Sequence, residues 1–381
     1  MTPLPVSPLA PARVDAFVFR CPIATPVRTS FGTMHDRPAL FVRVEDADGA
    51  VGWGEVWCNF PSCGAEHRAR LLETVMAPLL TSRGYGGPAE AFNWLSDKTA
   101  VLAIQSGEPG PMAQAIAGID LALWDLCARR AGQPLWRYLG GRSDEVGVYA
   151  SGINPDRPQD VAAARLAEGY RAFKLKIGFG QERDIANLSA LRELLGPDTP
   201  LMVDANQGWT LDEAIAIAPT LERFGLRWLE EPLRADRPWT DWQALAKKTS
   251  IALAGGENVA GTQAFDAAIA QAPWSVLQPD LAKWGGISGC WPVIAKGMAA
   301  GMRYCPHYLG GGIGLLASAH VLAAAGGDGI LEIDANPNPL RSALAGGLAS
   351  VQEGRAHLGS QPGLGVDPDL AALARLAAAG C

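Results

Sequence analysis

The sequence predicts an α/β protein in which a parallel barrel follows an α+β unit. Three observations carry this expectation. After about residue 145, eight short apolar runs alternate with stretches of helical spacing: VGVYAS, FKLKIG, LMVDAN, LRWLEEP, IALAGGEN, SVLQPD, MRYCPH and ILEID. Seven of these runs close on an ionisable residue at nearly even spacing. Before residue 140 the texture differs, with strands first and helices after, which marks a separate unit.

Taken in order, residues 13–56 alternate as strands in VDAFVF, LFVRVED and AVGWGEV, and the DADG at 46–49 is a hairpin turn signal. From about 65 to 139 the spacing is helical. The segment 112–132, MAQAIAGIDLALWDLCARRAG, repeats apolar residues at i, i+3 and i+4 and stops at Gly132. The expected organisation is an α+β capping domain over 1–140, a barrel domain over 141–339, and a Gly- and Ala-rich tail, 340–381, packing back on the first. A chain of 381 residues exceeds the size at which one core usually stops growing. An open doubly wound sheet is the competing architecture, but no G-x-G-x-x-G follows an early strand.

Composition bounds the function. Hydrophobic residues make up 48% and charged residues 19%, enough apolar material for a large core. A net charge of −7 argues against a nucleic-acid partner, while leaving room for a local cationic pocket. The seven cysteines include no C-x-x-C pair, so reduced thiols in a cytoplasmic protein are expected. The Pro-rich start lacks the pattern of a signal peptide, and no apolar run is long enough for a membrane partner.

The chemistry lies at the strand ends. Lys176, Asp204, Glu230, Glu257, Asp280, His307 and Glu332 are separated by 28, 26, 27, 23, 27 and 25 residues, one strand–helix unit each. In a parallel barrel the C-terminal strand ends share one mouth, where the active site lies. Singly, each residue has a plainer explanation. Asp204 suits a helix N-cap, one of Glu230 and Glu231 suits the surface, Lys174 and Lys176 suit a protected sheet edge, and a lone His307 suits a structural role. Together they require the rhythm to be accidental.

Asp204, Glu230 and Glu257 offer only hard oxygen donors, which suits Mg²⁺ rather than zinc. Such an ion would hold a substrate carboxylate and stabilise the enediolate formed when the α-proton leaves. Lys174 and Lys176, two apart on one strand, share a face. One is expected to take the proton and the other to hold the carboxylate, the neighbouring ammonium and the divalent cation together lowering the pKa of the base. His307 with Asp280 reads as a His–carboxylate dyad, and Glu332, if protonated, could donate to the carboxylate.

At this point the chain resembles the enolase superfamily, and within it the mandelate racemase group, from about residue 13 to 360. The resemblance rests on AIAGIDLALWDLCARRAGQPLWRYLGG (115–141) and then KLK, VDANQ, LEEP, GGEN, QPDLAKWGGISG and CPH in family order. It implies an α+β capping domain over a modified TIM barrel, (β/α)7β. It implies metal ligands at Asp204, Glu230 and Glu257. It also implies Lys176 as one base with Lys174 near the carboxylate, His307 with Asp280 on the other face, and Glu332 as carboxylate-protonating residue. Lys283 sits where the muconate-lactonizing branch keeps a second base, but the following CPH is more similar to the mandelate racemase branch, leaving Lys283 a supporting part. The family commonly forms dimers and octamers, so a homo-oligomer is expected.

The resemblance also implies two capping loops over the mouth that select a small-molecule carboxylate substrate, and these are expected at roughly 25–36 and 55–67. They offer Arg28, Ser30 and Asn59 beside Phe31, Trp57 and Phe60, and Asn206 and Lys283 join from the barrel. His35 and His67 read as ordinary loop residues, and GGGIG (310–314) as a tight strand-to-helix turn rather than a phosphate loop. Three functions fit: dehydration of a sugar acid or related hydroxy acid to a 2-keto acid, racemisation or epimerisation by the same residues, and a non-catalytic carbohydrate-binding barrel.

Overall fold

The computed structural model describes residues 1–28 and 32–379. It begins with an antiparallel sheet of β1 (Pro11–Arg28), β2 (Thr33–Asp46) and β3 (Val51–Val56), in that order. The DADG turn joins β2 to β3: Asp46 N–H donates to Ala50 O at 2.9 Å, and Gly49 takes φ +83°. The first expected loop is largely strand. Val27 pairs with Met34 and Arg28 with Thr33, so the hairpin continues almost to its tip.

The longer helices that follow are α1 (Gly64–Leu71), α2 (Pro88–Ser106) and α3 (Pro109–Arg130). Residues 115–128 of α3 are buried on every side, which explains their nearly unbroken apolar run. One side of α3 lies on β3 at very short range. A Cβ at Gly52 or Gly54 would come within 2.0 Å of the carbonyls of Ala122 and Gly118, so the GWG of GWGE lets helix and sheet touch. The other side meets the barrel.

The eight predicted runs form eight parallel strands: β4 (Glu145–Ile153), β5 (Phe173–Lys176), β6 (Leu201–Asp204), β7 (Leu229–Glu230), β8 (Leu253–Gly255), β9 (Trp274–Leu277), β10 (Arg303–Tyr304) and β11 (Ile330–Asp334). Helices separate them in turn: α4 (Pro158–Ala167), α5 (Gln181–Leu195), α6 (Leu211–Glu222), α7 (Trp239–Ala246), α8 (Thr262–Gln271), α9 (Gly286–Ala299) and α10 (Gly312–Ala325). Seven strand–helix units and a last strand make a (β/α)7β arrangement. The ladder runs β10-β9-β8-β7-β6-β5-β4-β11. Among the described residues no ladder joins β10 to β11, where the ring is open. In the tail, β12 (Arg355–His357) pairs antiparallel with β4, Leu364 N–H donates to Asp125 of α3, and α11 (Leu370–Ala379) packs on β1.

Strand periodicity places the site. Leu201, Val203, Leu229 and Leu253 belong to the main core under the helices, whereas Tyr149, Met202, Trp228, Ala254, Val276 and Cys305 form a separate cluster inside the barrel. Tyr149 and Trp228 meet edge to face, centroids 5.5 Å apart. Two residues beyond Met202, Trp228 and Cys305 come Asp204, Glu230 and His307. A step of two keeps a side chain on the same face, so the apolar plug hands over to charged groups at the mouth.

His320, in α10, is completely buried and accepts a hydrogen bond from Trp136 N–H through Nδ1 at 3.0 Å. Burial pushes its pKa down from 6.5 to about 4. Between those values the unfolded chain binds a proton that the folded chain refuses, so stability falls as pH drops. The loss from this residue is expected to reach about 3 kcal/mol by pH 4. His320→Gln, followed by denaturant midpoints across this range, should flatten the acid limb relative to the parent protein; parallel limbs would contradict the assignment.

Candidate active site

Register brings the predicted residues together. Lys176 pairs with Asp204, and Asp204 with Glu230, across β5, β6 and β7. A cavity of about 40 Å³ at the strand ends is lined by Lys176, Asp204, Asn206, Glu257, Lys283, His307 and Glu332, with Trp57, Phe60 and Leu309 as apolar wall and Ser151, Gly152 and Asp334 completing it. Asp204, Glu230, Glu257, Asp280, Glu332, Lys174, Lys176 and His307 are all buried.

Glu231 is buried as well, so the plainer alternative, that one member of the Glu pair lies at the surface, does not hold. Its backbone takes φ +39°, a left-handed conformation that breaks strand alternation and turns a second carboxylate inward. Asn258 Nδ2 donates to both Glu231 oxygens at 3.0 Å and to Glu257 Oε1 at 3.0 Å. Burial first, then repulsion from Glu257, raises the Glu231 pKa well above the usual range.

The two lysines differ. Lys174 Nζ pairs with Glu230, with Glu332 at 2.8 Å and with Asp204 at 3.9 Å, and lies 5.6 Å from the Tyr149 ring centroid. It is not among the residues lining the cavity. Burial opposes its charge, but Glu230 and Glu332 outweigh burial and raise its pKa well above the ordinary value. Carboxylates thus surround Lys174 and outweigh any effect of the neighbouring lysine. Lys176 reaches the cavity and donates to Asn206 Oδ1 at 2.8 Å.

His307 Nδ1 meets Asp280 Oδ2 at 2.7 Å, and Nε2 lies 2.9 Å from Glu257 Oε2 and 4.0 Å from Glu332 Oε2. Asp280 is fixed by the N–H groups of Ala282 and Lys283 at 2.8 and 3.1 Å. Burial disfavours the imidazolium, but Glu257, Glu332 and Asp280 overcome it and raise the His307 pKa well above 6.5. Glu332 moves the opposite way. Burial would raise its pKa, yet Lys174 and His307 lower it below 4.5, a direction that favours the carboxylate over the protonated form a donor role requires.

The three predicted ligands currently serve other partners. Asn206 donates to both Asp204 oxygens at 2.7 and 2.8 Å, and Gln278 and Trp228 donate to Glu230 at 2.7 and 3.1 Å. Lys283 Nζ donates to Glu257 at 2.8 Å, to Asn258 at 3.1 Å, and lies 5.0 Å from the Trp57 ring centroid. Among the described residues no group of three or more His, Cys, Asp or Glu side chains is gathered around one point as a metal ion requires. By donor type the set does fit a small hard cation: three carboxylates at the ends of the successive strands β6, β7 and β8. Burial raises the Asp204 pKa, with Glu257 adding to it, and raises that of Glu230 to about 7.

Of the expected loop residues, Trp57 lines the cavity. Asn59 does not line it; its Nδ2 donates to Leu309 O at 2.6 Å, a brace between sheet and barrel. Arg28 ends β1, and Ser30 and Phe31 fall outside the described residues. Sequence reasoning missed Asp334, which lines the cavity while held by Arg37 of β2, by Arg341 at 3.3 Å and by Asn336. Its signal was the step of two beyond Glu332.

A buried strand-end site of this kind, under an α+β cap, defines a carboxylate-lined (β/α)7β enzyme fold. The chain belongs to the enolase superfamily, mandelate racemase/muconate lactonizing enzyme group. The N-terminal domain of that group matches residues 13–140, and the enolase C-terminal domain-like family matches 158–372. A mandelate racemase/muconate lactonizing enzyme from Bordetella bronchiseptica RB50 is 62% identical, covers 97% of this chain and 100% of its own, and superposes with TM-score 0.93. A racemase from Streptomyces coelicolor A3(2) with bound magnesium is 31% identical over 96% of this chain and 99% of its own, TM-score 0.82. D-galactarolactone cycloisomerase from Agrobacterium fabrum is 33% identical over 90% of this chain and 92% of its own. Relatives also include arabinonate dehydratase from Saccharolobus solfataricus, at 30%, and L-Ala-D/L-Glu epimerase from Bacillus subtilis, at 28%.

The Arg37–Asp334 pair is almost fully buried and ties β2 to the barrel mouth. Arg37→Met is expected to lower the unfolding free energy by about 3 kcal/mol, the low end for breaking a buried pair, since Arg341 and Asn336 still hold the carboxylate. Adding Asp334→Asn should recover part of that loss. Denaturant unfolding of both variants checks this, and a single-variant loss within surface-pair range, about 1 kcal/mol or less, would contradict it.

Proposed function

We propose that the chain removes the proton α to a carboxylate of a sugar acid or related hydroxy acid and expels the oxygen substituent at the β-carbon, giving a 2-keto acid. The observation that carries this reading is that Lys176 and His307, from strands on different sides of the ring, line one cavity with carboxylates between them. The names of the dehydratase and cycloisomerase relatives support it. In both reactions a β C–O bond would break; only the fate of the oxygen differs, as water or as a hydroxyl of a ring-opened product.

Lys176, in its neutral form, takes the α-proton, and the electron pair moves into the carboxylate as an enediolate. That pair then returns to form the α,β double bond as the β C–O bond breaks. His307 gives its proton to the departing oxygen, and the enol becomes the keto acid. Three direct or near carboxylates keep His307 protonated, which suits an acid. Lys174, fixed behind the cavity by Glu230 and Glu332, contributes standing positive charge beneath the substrate carboxylate. Mg²⁺ held by Asp204, Glu230 and Glu257, turned from their present partners, would supply the charge that stabilises the enediolate. Racemisation or epimerisation is the second reading, favoured by the same facing pair and by the epimerase relative.

The test is turnover of a panel of sugar acids and their lactones with Mg²⁺, read by a 2-keto acid assay. Keto acid formation that stops on chelation is the expected result. Exchange of the α-hydrogen with D₂O, without keto acid, would replace the first reading by the second. Lys176→Ala and His307→Asn should each lower elimination by at least about 100-fold. Full activity in both would remove the assignment.

A further inference from the structure

We propose that Glu55, in the N-terminal sheet, is a positioning residue for His307, acting through the loop 307–311. The proposal rests on the reading of His307 as the acid. That loop carries His307 and Leu309 into the cavity wall and is pinned residue by residue. His307 is held by Asp280 at 2.7 Å, and Tyr308 N–H donates to Glu332 Oε2 at 3.1 Å. Leu309 O accepts from Asn59 at 2.6 Å and Gly310 O from Asn338 at 2.8 Å. Gly311 N–H donates to Glu55 Oε1 at 2.5 Å, and Gly314 N–H, in the first turn of α10, to Oε2 at 2.9 Å. One carboxylate thus closes the far end of the loop and satisfies the start of the helix that follows it.

The contact has no slack. Glu55 is 2% exposed, so water does not readily replace it. A Cβ on Gly311 would stand 2.7 Å from Glu55 Oε1 and 3.0 Å from the Phe41 ring, so the loop backbone rests directly on the carboxylate. Asn59, four residues on, braces the same loop from the same side. A helix cap alone would give stability and nothing else. The loop between the cap and His307 is five residues long, and a shift of about 1 Å at a reacting group costs on the order of 100-fold in rate. A loosened loop therefore moves the acid while leaving Lys176, across the cavity on β5, in place.

The experiment uses the full chain with Mg²⁺ and the sugar acid turned over fastest in the panel above. Glu55→Gln preserves volume but turns an amide N–H₂ against one backbone N–H; Glu55→Asp withdraws the carboxylate by one methylene and has to show the same pattern. Backbone hydrogen exchange by mass spectrometry should rise in the peptide spanning 308–314 and not in those of β5 and β6. The kcat for elimination should fall about 10- to 100-fold with KM within about threefold, while α-deuterium wash-in from D₂O, the Lys176 step, continues at the parent rate. Unchanged exchange in 308–314, or elimination and wash-in falling together, would overturn the proposal. A parent protein that eliminates nothing would overturn the reading of His307 and this proposal with it; an active parent with unaffected Glu55 variants would overturn the role of Glu55 alone.

Discussion

Charge confined to the barrel mouth is the constraint on which the rest depends. Ionised groups out of water persist only when matched, and here seven carboxylates converge with Lys174, Lys176, Lys283 and His307 above an apolar plug. The solution is a mesh in which each carboxylate has a donor: Glu230 has Lys174, Gln278 and Trp228, Glu257 has Lys283 and His307, and Asp204 has Asn206. Glu231 is satisfied by Asn258 at the expense of a left-handed backbone. Such a mesh is stiff in its spacing yet ready to exchange partners, because an incoming cation competes for the same oxygens that the lysines now hold.

The N-terminal unit is part of that mesh rather than a lid laid over it. Its carboxylates reach the starts of two barrel helices: Asp120 accepts from Ile287 and Ser288 N–H at 2.7 and 2.9 Å, and Glu55 accepts from Gly311 and Gly314. In a parallel barrel those helix starts surround the same mouth as the strand ends. A unit that docks by anions on helix N-termini is drawn to the active-site rim by the backbone dipoles themselves. Arg37 on Asp334 adds a cation beside them. The pairing of dockings explains the GWGE within β3: two glycines let α3 approach, and the glutamate side chain reaches from the sheet to the barrel.

Much of this was legible from residue order. The even spacing of strand-end ionisable residues marks βα units, and alternation says which side chains share the interior, as Met202 and Asp204 or Trp228 and Glu230 do. What stayed hidden depends on tertiary context. The inward turn of Glu231 comes from a positive φ at a residue type that rarely adopts it. The raised pKa of Lys174 reflects carboxylates from β7 and β11, 56 and 158 residues away in sequence. Asn59 sat among residues of the right polarity for a pocket, and only geometry shows its amide spent on Leu309. Glu55 was within reach, since a carboxylate directly after two close-approach glycines has few places to go but into whatever faces that sheet.

The unequal surroundings of the two proton carriers bear on which reaction the site favours. A racemase needs both groups to alternate between acid and base, so their affinities for the proton must be comparable at the working pH. Here His307 is fixed to Asp280 at 2.7 Å, a contact independent of the three proposed metal ligands, whereas Lys176 donates to the neutral amide of Asn206. Geometry thus distinguishes the two groups: a carboxylate on its Nδ1 side orients the imidazole, while a neutral amide orients the amine. Such an asymmetry fits the elimination proposed above, where the two groups would act at different atoms, better than a proton exchange that asks the same of both.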